Sequence, residues 1–320
     1  MIMAKARLFA LVFAAAALFT LLSSPAFPQS VQRVFDAHWH LPAESSYASE
    51  VEAIKALNVV GAVAIGTQVR FESMKPDAQL PVLRALTFPC EKGGMVNNGV
   101  KCFADGKEFP DLRLLREAVK NGDITAFGEL NAEYLGIAPN DPRLEPYYTL
   151  AEEFDVPVGI HLGIGPPGVA YTGPGFPPVK SINYRGTAGS PLLLEDVLVK
   201  HPRLRLYVMH AAYPFRDDMI YMLYMHPRLF VDVSVLQWAV PRAAYYGYLK
   251  ELVDAGFGKR IMFGSDGSSK RLKEGIEAVN VADFLSPAQR SDIFYENAAR
   301  FFKLPSTTDN RLDRTKTSGR

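Results

Sequence analysis

The chain lacks most of what would fix its structure or its address from outside a packed core. Only two cysteines occur in 320 residues, too few for a disulfide scaffold, and no second Cys/His pair stands at finger-like spacing, which excludes a zinc finger. An excess of one charge is also missing. The 35 basic and 34 acidic residues leave +1, which gives no bulk attraction to nucleic acid or to an anionic membrane. A P-loop and a serine nucleophile elbow are absent, so phosphate-loop and triad chemistry have no support. No apolar run reaches the roughly 18 residues of a spanning helix.

What is present is material for a core, with 48% hydrophobic and 22% charged residues. Such a composition folds rather than staying disordered. Near the N-terminus Lys5 and Arg7 precede LFALVFAAAALFTLL and then Ser24-Pro25-Ala26. That order reads as a secretory signal cut after Ala26, with an uncleaved anchor as the alternative. The expected organisation is a signal peptide over 1–26, one catalytic domain over 27–305 and a polar, disordered tail over 306–320. Export places the protein in the periplasm or outside the cell, with no membrane contact once the signal is removed. In an oxidising compartment Cys90 and Cys102, which bound CEKGGMVNNGVKC, either close that loop as a disulfide or remain separate thiols.

Eight short apolar runs read as buried strands: VQRVFDAHWH, VVGAVAIG, PVLRALTF, ITAFGELN, VPVGIHLG, LRLYVMHA, LFVDVSV and RIMFGSD. Helical spacing separates most of them, as in PDLRLLREAVKNGD and in SPLLLEDVLVKHP, where Ser190 is the expected cap. Alternating strands and helices predict an α/β fold, most simply a (β/α)8 TIM barrel, with an open doubly wound sheet as the alternative. KHPRLRLYV and MHPRLFVDV echo one another and set His201 and His226 at strand beginnings, the stability face of a barrel, so neither is a ligand. After the eighth run, SPAQRSDIFYENAARFF predicts a closing helix capped by Ser286.

The other four histidines fall at strand ends, the functional rim of a barrel: His38, His40, His161 and His210. Glu129 ends the fourth run and Asp266 the eighth, so six candidate metal ligands converge on one mouth. Strand alternation turns His38 and His40 to one side, with Asp36 one step deeper as a candidate partner for a histidine and Trp39 facing the core. Taken singly, each has an ordinary structural explanation. Held at equivalent strand ends, together they predict a metal site.

FDAHWH, the GEL of the fourth strand, GIHLG, VMHAAYP, FGSDG and YENAARFF together resemble the amidohydrolase superfamily, over about Val34 to Leu304. The nearer likeness is to its amidohydrolase-related branch of hydrolases, lactonases and decarboxylases. The resemblance implies that His38, His40, His161 and Asp266 hold the main divalent cation, with zinc expected. It makes His210 a catalytic residue or a ligand of a second ion, and leaves Glu129 a bridging role, so one or two ions are expected. Many relatives place an aromatic and a proline after the aspartate, whereas this chain has Gly267-Ser268-Ser269. The substrate wall there is therefore its own.

The expected chemistry is hydrolysis of an amide, lactone or related ester of a small molecule. The cation activates water, Asp266 shuttles its proton, and His210 or the cation polarises the carbonyl. Nonoxidative decarboxylation is the alternative, and an exported metal-binding protein without catalysis is the reading from another class. The loop GIGPPGVAYTGPGFPPVKSINYRG supplies the candidate substrate contacts Tyr171, Lys180, Tyr184 and Arg185. A small molecule is the expected partner, and a homo-oligomer is left open.

Overall fold

A computed structural model describes residues 32–40, 46–72, 74, 80–90, 102–103, 106–176 and 180–304. The signal segment 1–26 and the tail 306–320 lie outside these residues. Among those described, no helix is long and apolar enough to cross a membrane.

The eight apolar runs form strands β1 Val34–His40, β2 Val59–Gly66, β3 Val82–Phe88, β4 Ala126–Leu130, β5 Val158–His161, β6 Leu206–Met209, β7 Phe230–Asp232 and β8 Ile261–Met262. They pair in parallel in sequence order. The first and last meet at their upper ends, where Ala37 N donates to Phe263 O at 3.0 Å and Asp266 N to His38 O at 2.7 Å. The result is the nearly closed (β/α)8 barrel that the alternation of strands and helices predicted.

Inside the barrel, Phe35, Ala37, Val63, Ile65, Ala85, Ala126, Tyr207 and Met209 pack with Phe301 and Phe302 of the closing helix. Each fully buried aromatic or branched side chain there contributes about 1.5–3 kcal/mol. That helix starts as expected: Ser286 accepts from Gln289 N, and the Gln289 side chain returns the bond. The second predicted cap fails. Ser190 makes no side-chain cap, and the chain winds a tight turn over Pro191–Leu194 before the helix Glu195–Lys200. The tight turn seats Pro191 and Leu194 in the core and leaves Leu192 exposed.

His201 and His226 follow the last turns of two helices, and His201 lies between Glu145 at 3.0 Å and Glu152 at 3.5 Å. Cys90 and Cys102 are bonded, with Cα atoms 5.7 Å apart. Gly163-Ile164-Gly165-Pro166-Pro167-Gly168 has GxGxxG spacing, but it opens a loop rather than a helix. No helix N-terminus is therefore presented to a pyrophosphate.

Candidate metal centre

β1 reaches the rim through an irregularity. Phe35 and Ala37 face the barrel interior, Trp39 packs outward in the main core, and the register shifts between Asp36 and Trp39. One Asp36 oxygen accepts the backbone N–H of His38 at 3.0 Å and that of Ser265 at 2.9 Å. A side chain bonding the backbone two residues on bends the strand locally. This corrects the alternation argument for Asp36. It anchors main chain at the β1–β8 junction and touches no imidazole, while burial pushes its carboxyl above the usual range.

His38 and His40 nonetheless converge, with Nε2 atoms 3.0 Å apart. Asp266 Oδ1 lies 3.4 Å from the first and 3.2 Å from the second. Gly264 makes room for this approach, since a β-carbon there would come within 2.8 Å of the His38 Cβ. Asp266 has φ 51°, and His210, Ala211 and Ala212 have φ 57°, 47° and 51°. Left-handed backbone costs about 1–2 kcal/mol at each non-glycine residue. Such strain concentrates at functional sites.

Glu129 stands at the centre. Register irregularities on both sides of β4 turn it inward. Its Oε2 is 3.4 Å from His40 Nε2 and 3.8 Å from His38 Nε2. Its Oε1 is 2.7 Å from His161 Nδ1 and 3.5 Å from His210 Nε2, and those two nitrogens are 3.2 Å apart. The six predicted ligands thus form two groups that share one carboxylate. His161 belongs with His210 on the far oxygen, rather than with His38, His40 and Asp266 as the resemblance implied.

The outer nitrogens define which ring atoms face the site. His210 Nδ1 lies 3.2 Å from the carbonyl oxygen of Ser234 and 3.0 Å from its hydroxyl. A carbonyl only accepts, so Nδ1 carries the proton and Nε2 turns a lone pair inward. His38 Nδ1 lies 3.2 Å from Asp232 Oδ2, and Asp232 Oδ1 accepts the backbone N–H groups of His210 and Ser234, each at 2.9 Å. Asp232 and Ser234 were missed in the sequence. A fully buried carboxylate inside the apolar run LFVDVSV was the signal that could have found them.

Burial opposes charge on His38 and His40, yet facing carboxylates outweigh it. Asp266, Asp232 and Glu129 hold His38 well above the usual imidazole range, and Asp266 and Glu129 raise His40 to about 9. Burial likewise works against ionised Glu129 and Asp266, but the imidazoles draw both carboxyls below their ordinary values. Four imidazoles and two carboxylates turned inward are a nitrogen and oxygen donor set that suits a divalent cation. Among the described residues, three overlapping groups are able to hold an ion: His38 with His40 and Glu129, Glu129 with His161 and His210, and His38 with His210 and Asp232.

The rim residues fare unevenly. Tyr184 is tied to the site: its ring lies 5.3 Å from Tyr134, which lies 4.8 Å from His161, and its hydroxyl donates to Gly163 O. Tyr171 is exposed and stacks on Phe176 at 5.2 Å. Arg185 donates to Ile182 O at 3.0 Å and Tyr184 O at 2.7 Å, within its own loop, and Lys180 is half-buried. The structure joins none of Tyr171, Lys180 or Arg185 to the ligand cluster. Beside Gly267 the Arg271 side chain packs close to the backbone, with its guanidinium 4.2 Å over the Trp238 ring and 2.7 Å from Glu274.

Residues 24–304 match the family described as amidohydrolase. The chain belongs to the amidohydrolase family. Enzymes of this family use a divalent metal, and the donor set of this amidohydrolase fits one. Its fold is shared with an uncharacterized TIM-barrel protein from Bordetella bronchiseptica, at TM-score 0.60 and 14% identity, over 85% of this chain and 98% of that one. A 5-carboxyvanillate decarboxylase from Sphingomonas paucimobilis aligns at TM-score 0.56 and 11% identity, covering 86% of this chain and all (100%) of that one. A protein described as a probable 2-pyrone-4,6-dicarboxylic acid hydrolase from Acinetobacter baumannii aligns at 0.53 and 13%, over 85% and 100%. At these identities the likeness concerns the fold. Protein fluG of Emericella nidulans is 20% identical over an alignment of 133 residues that covers 36% of this chain and 15% of the length of that curated relative.

Proposed function

We propose that this amidohydrolase is an exported hydrolase that holds two divalent cations, zinc by preference of the donors, and cleaves an amide, lactone or related ester of a small molecule. One observation carries the reading: the two oxygens of Glu129 face two separate pairs of histidine nitrogens. His38, His40 and Asp266 would hold one ion and His161 and His210 the other, with Glu129 shared. When bound, the cations supply an activated water at neutral pH and draw electron density from the scissile carbonyl.

The chain's own groups do the rest. Asp266 is the carboxylate of the cluster most open to the mouth, at 19% side-chain exposure against 8% for Glu129. It accepts the proton of the attacking water and delivers it to the leaving group. His210, with its proton committed to Ser234, serves as a ligand rather than as an acid. Tyr184 and its loop shape the mouth, and Arg271 on Trp238 offers a cation to an acidic substituent. Export rests on the basic and apolar order of the first 26 residues.

Decarboxylation draws equal support from the fold likenesses, because a decarboxylase is among them. We favour hydrolysis because the paired donor groups would suit two ions, which would supply both water activation and carbonyl polarisation. The test is product analysis on an amide, lactone and aromatic-acid panel with zinc-loaded protein. A new carboxylate without carbon dioxide is expected; carbon dioxide release would transfer the assignment to decarboxylation.

A further inference from the structure

Beyond the donor cluster one buried carboxylate has no role in the chemistry above. Glu133 lies in the short helical turn Ala132–Leu135 that follows β4, with its side chain 1% exposed. Its Oε2 accepts the backbone N–H of Gly163 at 3.1 Å and lies 3.9 Å from His161 Nε2. Glu133 Oε1 and His161 Nε2 are both buried with no partner at regular hydrogen-bond geometry, while the Tyr184 hydroxyl also interacts with the Glu133 carboxyl, which burial pushes up to about 8. On the other side the chain passes so close at Gly189 that a β-carbon there would overlap the carboxylate, which seals it from water.

The two orphan atoms belong to opposite ends of one proton arrangement. His161 Nδ1 faces the Glu129 Oε1 acceptor at 2.7 Å, so a proton on Nδ1 is donated there. A cation held by Nδ1 forces the proton to Nε2, in a place where an unsatisfied N–H costs about 1–3 kcal/mol. Glu133 Oε2, 3.9 Å away, is the carboxylate oxygen that stands beside that nitrogen. We propose that Glu133 is a positioning residue that receives the His161 Nε2–H when Nδ1 binds metal, and so sets the affinity of the second ion of the pair. Ring partners of this kind govern metal affinity in histidine sites generally. Through Gly163, the same carboxylate fixes the start of the rim loop, so loop placement and second-ion binding share one group.

The inference rests on the two-ion reading, and chelator-competition titration of the full chain with zinc separates the two. Wild-type protein is expected to take two ions. Glu133→Leu should leave the first affinity unchanged and weaken the second about 10–100-fold, while Glu133→Gln, which keeps an acceptor oxygen, should recover most of the loss. Two ions bound by Glu133→Leu with wild-type affinities would overturn the positioning role and leave the two-ion reading standing. One ion in the wild type would overturn both. Should Glu133→Leu fail to fold, 15N shifts of His161 in the wild type decide: the proton should sit on Nδ1 in chelated protein and on Nε2 in zinc-loaded protein, and a bare Nε2 in the loaded form would contradict the assignment.

Discussion

Glu129 reaches four imidazoles because its backbone leaves the regular ladder, and the carboxylate then sits where neither of the two proposed ion sites would be complete without it. Glu129→Ala is therefore expected to weaken metal binding at both positions and to abolish measurable turnover, as read by elemental analysis and product assay. Asp266→Asn should behave differently. An amide oxygen still faces His38 and His40, so at least one ion should remain, while loss of the proton acceptor lowers kcat by about 10²–10⁴; wild-type turnover would contradict the shuttle. At this scale the ligands were legible because histidines and carboxylates stand out at the ends of apolar runs. Their grouping was not, since which nitrogen of His161 faces inward depends on ring rotation. Asp36 was misplaced because its own carboxylate takes the His38 N–H and breaks the alternation on which the sequence argument relied.

The elements were mostly readable, and the exceptions share a cause. β7 and β8 span only Phe230–Asp232 and Ile261–Met262, although longer apolar runs announced them, because both chains peel away to bring Ser234 and Asp266 to the mouth. The tie between Cys90 and Cys102, 12 positions apart, could not be decided from spacing. Reducing it should cost about 3 kcal/mol of stability in the chain-entropy model, seen as a lower Tm with and without reductant. On the opposite face, burial works against ionised Glu145 and Glu152. Lys200 and His201 around the first, and Arg203 and His201 around the second, still hold both carboxyls below the usual value. A carboxyl depressed in the folded state contributes stability above its unfolded value near 4.5 and loses it as pH falls through the lower folded value. Glu145→Gln with Glu152→Gln should therefore lower Tm at pH 7 and flatten its decline below about pH 4.5; an unchanged acid limb would remove these pairs from the account.

At the scale of the whole molecule, the mouth of the barrel gathers left-handed backbone at His210, Ala211, Ala212 and Asp266 together with the buried donor cluster, while the closing helix packs against the other end. Left-handed backbone at His210 and Asp266 and the buried charged cluster are costs that the proposed cations would offset, because a ligand that binds only the folded state stabilises it by mass action, about 2.7 kcal/mol at 100 times Kd. Chelated protein should accordingly melt at lower temperature and regain its Tm on zinc addition in a concentration-dependent way. The barrel was legible from eight spaced apolar runs, since a parallel sheet buried on both faces requires them. The surroundings of Gly267 were not, because Arg271 on the helix Ser269–Asn280 meets Trp238 on the helix Leu236–Ala239 and no local pattern announces the contact. The most direct measurement of the central claim is anomalous diffraction at the zinc edge from crystals grown with the metal. Two peaks are expected, one among His38, His40 and Asp266 and one between His161 and His210, with Glu129 touching both; a single peak, or none bordered by Glu129, would contradict it.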